Sequence, residues 1–437
     1  MAPHALSLMS RRRAVLAGAA GAAGLASLPA AAQFRVEISG VGGTQLPIAI
    51  AKFRDEERAG TNAPAAIVRA DLERSGAFRL VDATAVAGTL DETSRPAMAD
   101  WRARAADALV GGSVSRLADG RFDVRFRLWD VVKGAELASG SHAVEAGDLR
   151  LAAHRIADQI HEKLTGEKGV FSTRIAYVAK TGSRHVLRVA DADGEGAQDA
   201  LASLQPIISP AWSPNGRELA YVSFERQKAV VFVHDVASGQ RRVLADFRGT
   251  NSAPAFSPDG QTLAVTLSRE GGSQLFLIGR GGGEPRRLAT SPAIDTEAVF
   301  SADGRSIYFT SDRGGSPQIY RMGAGGGNAE RVTFGGSYNI SPDVSPDGRT
   351  LAYVTRAGGA FKLMTLDLGS GGAPLALTDT GDDEHPSFAP NGRLLVYATR
   401  DRGRSVLMTT TLDGKIKARL ASTTADVREP TWGPFGR

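Results

Sequence analysis

Few groupings of residues in this chain could do chemistry. "DTGDDEH" (Asp379 to His385) gathers four acids beside a histidine, a set able to hold a cation weakly or to meet a basic partner surface. "DADGEG" (Asp191 to Gly196) opens like a calcium loop but lacks the further carboxylates and the closing glutamate such a loop needs, so it reads as a hairpin turn. His154 and His161 stand seven residues apart on one helix with no third ligand in view and read as surface residues. With no cysteine, the chain has no thiolate for nucleophilic attack or metal ligation and no disulfide. A nucleophilic serine on an α/β-hydrolase domain would sit in a G-x-S-x-G elbow, and "GGSVS", "GGSQL", "GGSPQ" and "GGSYN" all lack the final glycine. "GAGGGN" and "GRGGGEP" lack the strand-then-helix context that lets a glycine loop cradle phosphate. No catalytic residue, metal or cofactor is therefore assigned. One enzymatic alternative stays open, a hydrolase or lyase acting on cell-wall fragments, which would need carboxylates such as Glu297 and Glu429 to face each other across a channel.

The elements that must position these groups are repeats. "WSPNGRELAY" from Trp212, "FSPDGQTLAV" from Phe256, "FSADGRSIYF" from Phe300, "VSPDGRTLAY" from Val344 and "FAPNGRLLVY" from Phe388 start 44 residues apart, and "WGPFGR" follows at Trp432 after another 44. In Ser-Pro-Asp/Asn-Gly, proline presets φ, the Asp or Asn side chain bonds back to the backbone, and glycine accepts a positive φ. The apolar run behind each turn fits a strand buried on both faces. A second strand follows (Ala229 to Asp235, Gln274 to Gly279, Gln318 to Met322, Lys362 to Asp367), and then a third (Arg241 to Ala245, Pro285 to Ala289, Glu330 to Phe334, Leu375 to Asp379). With the short strand ending at the turn, each repeat holds four antiparallel strands, the pattern of a β-propeller blade. The strands starting at Ile175, Leu219, Leu263, Ile307, Leu351 and Leu394 predict six blades. The chain enters the ring at the second strand of one blade, "RIAYVAK", and ends with that blade's missing first strand, Glu429 to Trp432.

Residues 34 to about 166 lack the period. Strands are predicted at Leu46 to Phe53, Phe78 to Asp82, Ala108 to Leu117, Arg121 to Val132 and Glu136 to Val144. Helices are predicted at Ala63 to Ser75, around Trp101 to Ala108, and at Leu149 to Leu164. The fold class is thus an α/β N-terminal domain, with a mixed sheet and helices on one face, followed by an all-β six-bladed β-propeller. The aromatic series Trp212, Phe256, Phe300, Phe388 and Trp432 reads as blade core.

"MSRRRAVLAGAAGAAGLASLPAAAQ" has a basic n-region, a small apolar h-region and an Ala30-Ala31-Ala32 end, an export signal of twin-arginine-like type. The domain reading is residues 1–32 signal peptide, 33–166 N-terminal α/β domain with a leading strand, and 167–437 propeller. Removing residues 1–32 takes away three arginines and no acid; 49 basic against 47 acidic residues then leave +2, down from +5. No nucleic-acid partner follows from so small a charge. No later apolar stretch is long enough to span a membrane, and the expectation is a periplasmic monomer.

This order of parts, with "APAFSPDG" (Ala253 to Gly260), "DGKIKARL" (Asp413 to Leu420) and the mature start "FRVEI" (Phe34 to Ile38), resembles the TolB family, periplasmic proteins of the Tol-Pal system. The resemblance implies a non-enzymatic adaptor serving outer-membrane integrity and constriction during cell division. It implies binding of the lipoprotein Pal by a propeller rim at Thr250, Asn251, Ala253, Asp295, Thr296, Glu297, Asn339, Glu384 and His385. It also implies binding of the TolA C-terminal domain by Phe34, Arg35, Val36, Glu37 and Ile38, where a free strand could add to a partner's sheet edge.

Overall fold

The computed structural model describes residues 45–60, 62–84, 90–420 and 425–436. Residues 1–32, read as an export signal, and the Phe34 to Ile38 segment lie outside these residues.

The N-terminal domain runs β1 (Leu46–Ile50), α1 (Pro64–Arg74), β2 (Phe78–Val81), α2 (Met98–Ala103), β3 (Ala108–Arg116), β4 (Phe122–Asp130), β5 (Ala135–Val144) and α3 (Leu149–Thr165). Pro64 opens α1 where its missing N–H costs nothing, and Gly166, at φ 77°, closes α3. The sheet order is β2-β1-β3-β4-β5, with β1 parallel to both neighbours and the last three strands antiparallel. Alternation along β1 sends Ile48 and Ile50 to one face, under α1 and α3. Ala49 and Ala51 go to the other face, where they meet Trp101 of α2 and Trp129. Helices therefore cover both faces, not one, because the short helix around Trp101 crosses beneath the sheet. That helix also ends at Ala103, earlier than its predicted limit.

The remainder is six four-stranded blades. The inner strands of blades 2 to 6 are Ile207–Trp212, Asn251–Phe256, Asp295–Phe300, Asn339–Val344 and Glu384–Phe388. Blade 1 is completed by the C-terminal strand Asp426–Trp432, which pairs antiparallel with Arg174–Thr181. In the turns after the inner strands of blades 2 to 6 the Asp or Asn side chain accepts from the backbone two residues on and the glycine has a positive φ. Gly260 has φ 69°, Asp259 Oδ1 accepts from Gln261 N at 3.0 Å, and Ser257 Oγ both accepts from Thr262 N (3.0 Å) and donates to Thr262 O (2.9 Å). The outer strands are shorter than predicted, at Arg286–Arg287, Glu330–Arg331 and Leu375–Ala376. The chain leaves the blade edge early, so that Leu288 and Leu377 fill the gap between blades.

Inner strands begin at one end of the channel, which makes that end the rim; at the other end Arg150 of the N-terminal domain donates to Asp193 Oδ2 of blade 1 at 2.6 Å. Arg393 in a turn after an inner strand donates from Nε to Glu167 Oε2 at 2.8 Å, and Asn391 Nδ2 donates to Lys168 O at 3.1 Å. Asp158 of α3 accepts from Phe171 N (2.7 Å) and Ser172 N (3.1 Å), fixing the segment that enters the ring.

Candidate functional site

The channel is built from one residue per blade in the left-handed region: Ser209, Ala253, Glu297, Ser341, His385 and Glu429, with φ between 47° and 54°. Each sits in a bulge of its inner strand, where the register shifts against the next strand. Five of the six precede proline, the exception being Glu297 before Ala298. A residue before proline ordinarily adopts extended backbone. Six copies of this unusual geometry around one axis mark the channel as a place where local preference yields to position. Five of these residues line a cavity of about 380 Å³ walled also by Phe256, Phe300 and Trp432.

Adjacent inner strands share no backbone ladder, so side chains join them. Glu297 Oε2 accepts from Ser341 N at 2.8 Å and from Thr310 Oγ1 at 2.8 Å. Asp343 Oδ2 accepts from Phe388 N at 2.7 Å, Ser387 Oγ from Trp432 N at 3.0 Å, and Glu429 Oε2 from Ser209 N at 3.0 Å. Burial in the channel pushes the Asp343 carboxyl up to about 7 against the two backbone N–H groups that favour its charged form. Glu297 and Glu429 thus each have an oxygen committed to the next blade's backbone. The Trp212, Phe388 and Trp432 rings are buried, while Phe256 and Phe300 stand half-buried along the channel wall.

The nine rim residues divide by exposure. Asn251 is fully buried, its amide donating to Ala229 O, Phe247 O and Gly249 O. Asn339 is equally buried and donates to Gln318 Oε1 and Gly335 O. Asp295 is buried against the Arg313 guanidinium at 2.9 and 3.0 Å. These three side chains turn inward and brace the loops. Thr250 is exposed, and Ala253, Thr296, Glu297, Glu384 and His385 are half-buried at or just inside the mouth. Beside them a second cavity of about 350 Å³ is lined by Glu297, Asp382, Glu384, His385, Arg400 and Arg428.

Sequence reasoning missed an apolar component of this rim. Leu204, Ile294 and Phe334 are 73%, 53% and 76% exposed in the loops that lead into the inner strands of blades 2, 4 and 5. The signal was available as a large apolar residue in an otherwise polar loop shortly before an inner strand.

His154 and His161 are buried, which corrects their reading as surface residues. His154 Nδ1 donates to Asp71 Oδ2 at 2.6 Å, and its Nε2 lies 3.6 and 3.7 Å from Asp191 and Asp193 on blade 1. Burial alone would lower this imidazole, but Asp71, Asp191 and Asp193 outweigh it and hold the pKa at about 10. Asp71, His154 and Asp193 have the spacing to ligate an ion. Asp71 also accepts from Arg74, and Asp193 from Arg150, so both carboxylates are already paired with guanidinium groups.

Among the described residues no helix is long and apolar enough to cross a membrane. Comparison with known proteins gives consistent findings. The TolB beta propeller domain family matches residues 161–436, and the TolB amino-terminal domain family matches residues 34–137. The chain is 66% identical over 230 residues to the Tol-Pal system protein TolB of Albidiferax ferrireducens, covering 53% of each chain. It is 64% identical over 244 residues to that of Polaromonas naphthalenivorans, covering 56% of each. These matches span about half the length of the curated relatives. The crystal structure of TolB from Acinetobacter baumannii superposes with a TM-score of 0.84 at 38% identity, covering 92% of this chain and 99% of that one.

Proposed function

This chain belongs to the TolB family of the Tol-Pal envelope system, and from that premise we propose that it works in the periplasm as a non-enzymatic adaptor. In this reading residues 1–32 direct export, residues 33–166 form the domain that carries the leading strand, and residues 167–437 form the propeller. The rim takes up the lipoprotein Pal, and Phe34 to Ile38 adds as a strand to the TolA C-terminal domain. The outcome is support of outer-membrane integrity and of constriction during division.

The observation that carries this reading is the composition of the rim. Exposed Leu204, Ile294 and Phe334 stand around a polar mouth that includes Thr250, Thr296 and Glu384. Large exposed apolar side chains with a polar surround are what a protein partner covers. The engagement of Glu297 and Glu429 in bonds between blades favours the adaptor over a carboxylate-pair enzyme.

The test is recovery of Pal from envelope extract by immobilised residues 33–437, against a Thr296→Arg variant. Recovery by the parent and its loss in a variant with an unchanged melting curve is expected. Equal recovery by both would remove the rim from the account, and no recovery by either would remove Pal.

A further inference from the structure

The seam between blade 6 and the closing strand differs chemically from the others. At the seams of blades 1 and 2, 4 and 5, and 5 and 6 a carboxylate takes a backbone N–H of the next blade. At this seam His385, on the inner strand of blade 6, forms an ion pair with Glu429 of the closing strand at 3.2 Å. Glu429 accepts from Ser209 N as well, so one carboxylate ties blades 6, 1 and 2 together. Across the same seam Trp432 N donates to Ser387 Oγ at 3.0 Å, and Arg428 Nε lies 3.8 Å from Glu384 Oε1. His385 also lines both the channel cavity and the rim cavity, and its backbone is in the left-handed region ahead of Pro386.

We propose that the His385–Glu429 pair is a proton-controlled latch. With His385 protonated it fastens the C-terminal strand beside the rim, and with His385 neutral it releases Glu429 on that side and lowers partner affinity. The latch rests on the reading of the rim as the partner site for its effect on affinity, and on the ion pair alone for its effect on closure. The charged groups facing His385 come from several elements: Glu429 and Arg428 of the closing strand, Glu297 of blade 4, and Glu384 of its own strand. Asp343 of blade 5 and Asp382 and Arg400 of blade 6 line the same cavities. Burial alone would lower the imidazole; Glu429, Glu297 and Glu384 outweigh it and the opposing Arg428, so the proton is held above the usual histidine range. The stabilisation is fully present below the unfolded value near 6.5 and is lost as pH rises through the folded value.

The experiment compares the parent with His385→Asn, Glu429→Gln and the double variant; asparagine tolerates the positive φ. Chemical unfolding is measured at pH 6 and pH 9.5, and affinity for the soluble domain of Pal at the same two values. The coupling between the two substitutions is expected to be roughly two- to fivefold in the unfolding constant at pH 6, the size of a partly exposed pair, and absent at pH 9.5. Parent affinity is expected to fall by a similar factor between the two pH values, while His385→Asn shows no such fall. Equal coupling at both pH values, or a parent-like fall in His385→Asn, would overturn the latch. If the parent binds no Pal at either pH, the partner reading fails, and the unfolding cycle still decides the latch.

Discussion

His154 of α3 and Asp71 of α1 meet through a 2.6 Å hydrogen bond at the centre of a buried cluster that also takes in Asp191 and Asp193 of blade 1. The N-terminal domain is therefore joined to the blade that the C-terminal strand completes. Because Asp71, His154 and Asp193 are buried and paired, removing one member leaves another without compensation.

His154→Leu is expected to destabilise the chain by about 3–5 kcal/mol, the cost of breaking a buried pair from one side. The pH sign is fixed by a folded pKa of about 10. The histidine's contribution is complete below 6.5 and is lost as pH rises from there to about 10. Urea unfolding from pH 6 to pH 10 reads this as a falling midpoint in the parent and a flatter one in the variant.

Asp158 behaves in the opposite chemical sense with the same sign. Burial pushes its carboxyl up to about 6 despite the two backbone donors. The folded state keeps a proton that the unfolded chain has released, so this group's contribution falls as pH rises from about 4 to about 6. Carboxyl chemical shifts of the folded chain are expected to titrate Asp158 near 6. A midpoint at the ordinary carboxylate value would show that the bonds to Phe171 N and Ser172 N dominate.

Trp432 closes the ring. Its indole Nε1 donates to Thr173 Oγ1 at 2.8 Å, and its backbone N donates to Ser387 Oγ. Trp432→Ala is expected to cost about 3–5 kcal/mol. Deleting Arg428 to Arg437 is expected to abolish the single cooperative melt, since it removes most of the inner strand of blade 1. A full cooperative transition in that truncation, followed by calorimetry, would contradict closure through this strand.

Exposed rim residues are expected to separate binding from stability. Phe334→Ser removes a side chain that is 76% exposed, so the melting point should stay within the range of a surface substitution, about 0.5 kcal/mol. Partner affinity should fall about tenfold or more if this ring lies inside the interface. Asn251→Ala is expected to do the reverse, costing about 1–3 kcal/mol of stability by leaving buried carbonyls unpaired.

The propeller was legible because its signal is periodic. A 44-residue spacing with Ser-Pro-Asp/Asn-Gly at each return dictates turn, buried strand and blade count together, and the C-terminal strand follows from the count. The site was legible only in outline. Asn251 and Thr250 look alike in sequence, as polar residues ahead of a strand, yet one folds back onto three carbonyls and the other faces solvent. His154 was misread because its partners lie 83 residues before it and on a different domain after it. No local pattern carries such a contact. The left-handed ring from Ser209 to Glu429 was hidden for another reason: a residue before proline is ordinarily extended, and only the blade geometry overrides that preference.

The central claim is that the rim is a protein-binding surface. It is tested most directly by titrating purified soluble Pal into residues 33–437 in a calorimeter, alongside the Phe334→Glu and Thr296→Arg variants. The account predicts saturable one-to-one binding by the parent and at least tenfold weaker binding by both variants, with their melting points unchanged. Parent-level affinity in both variants would contradict it.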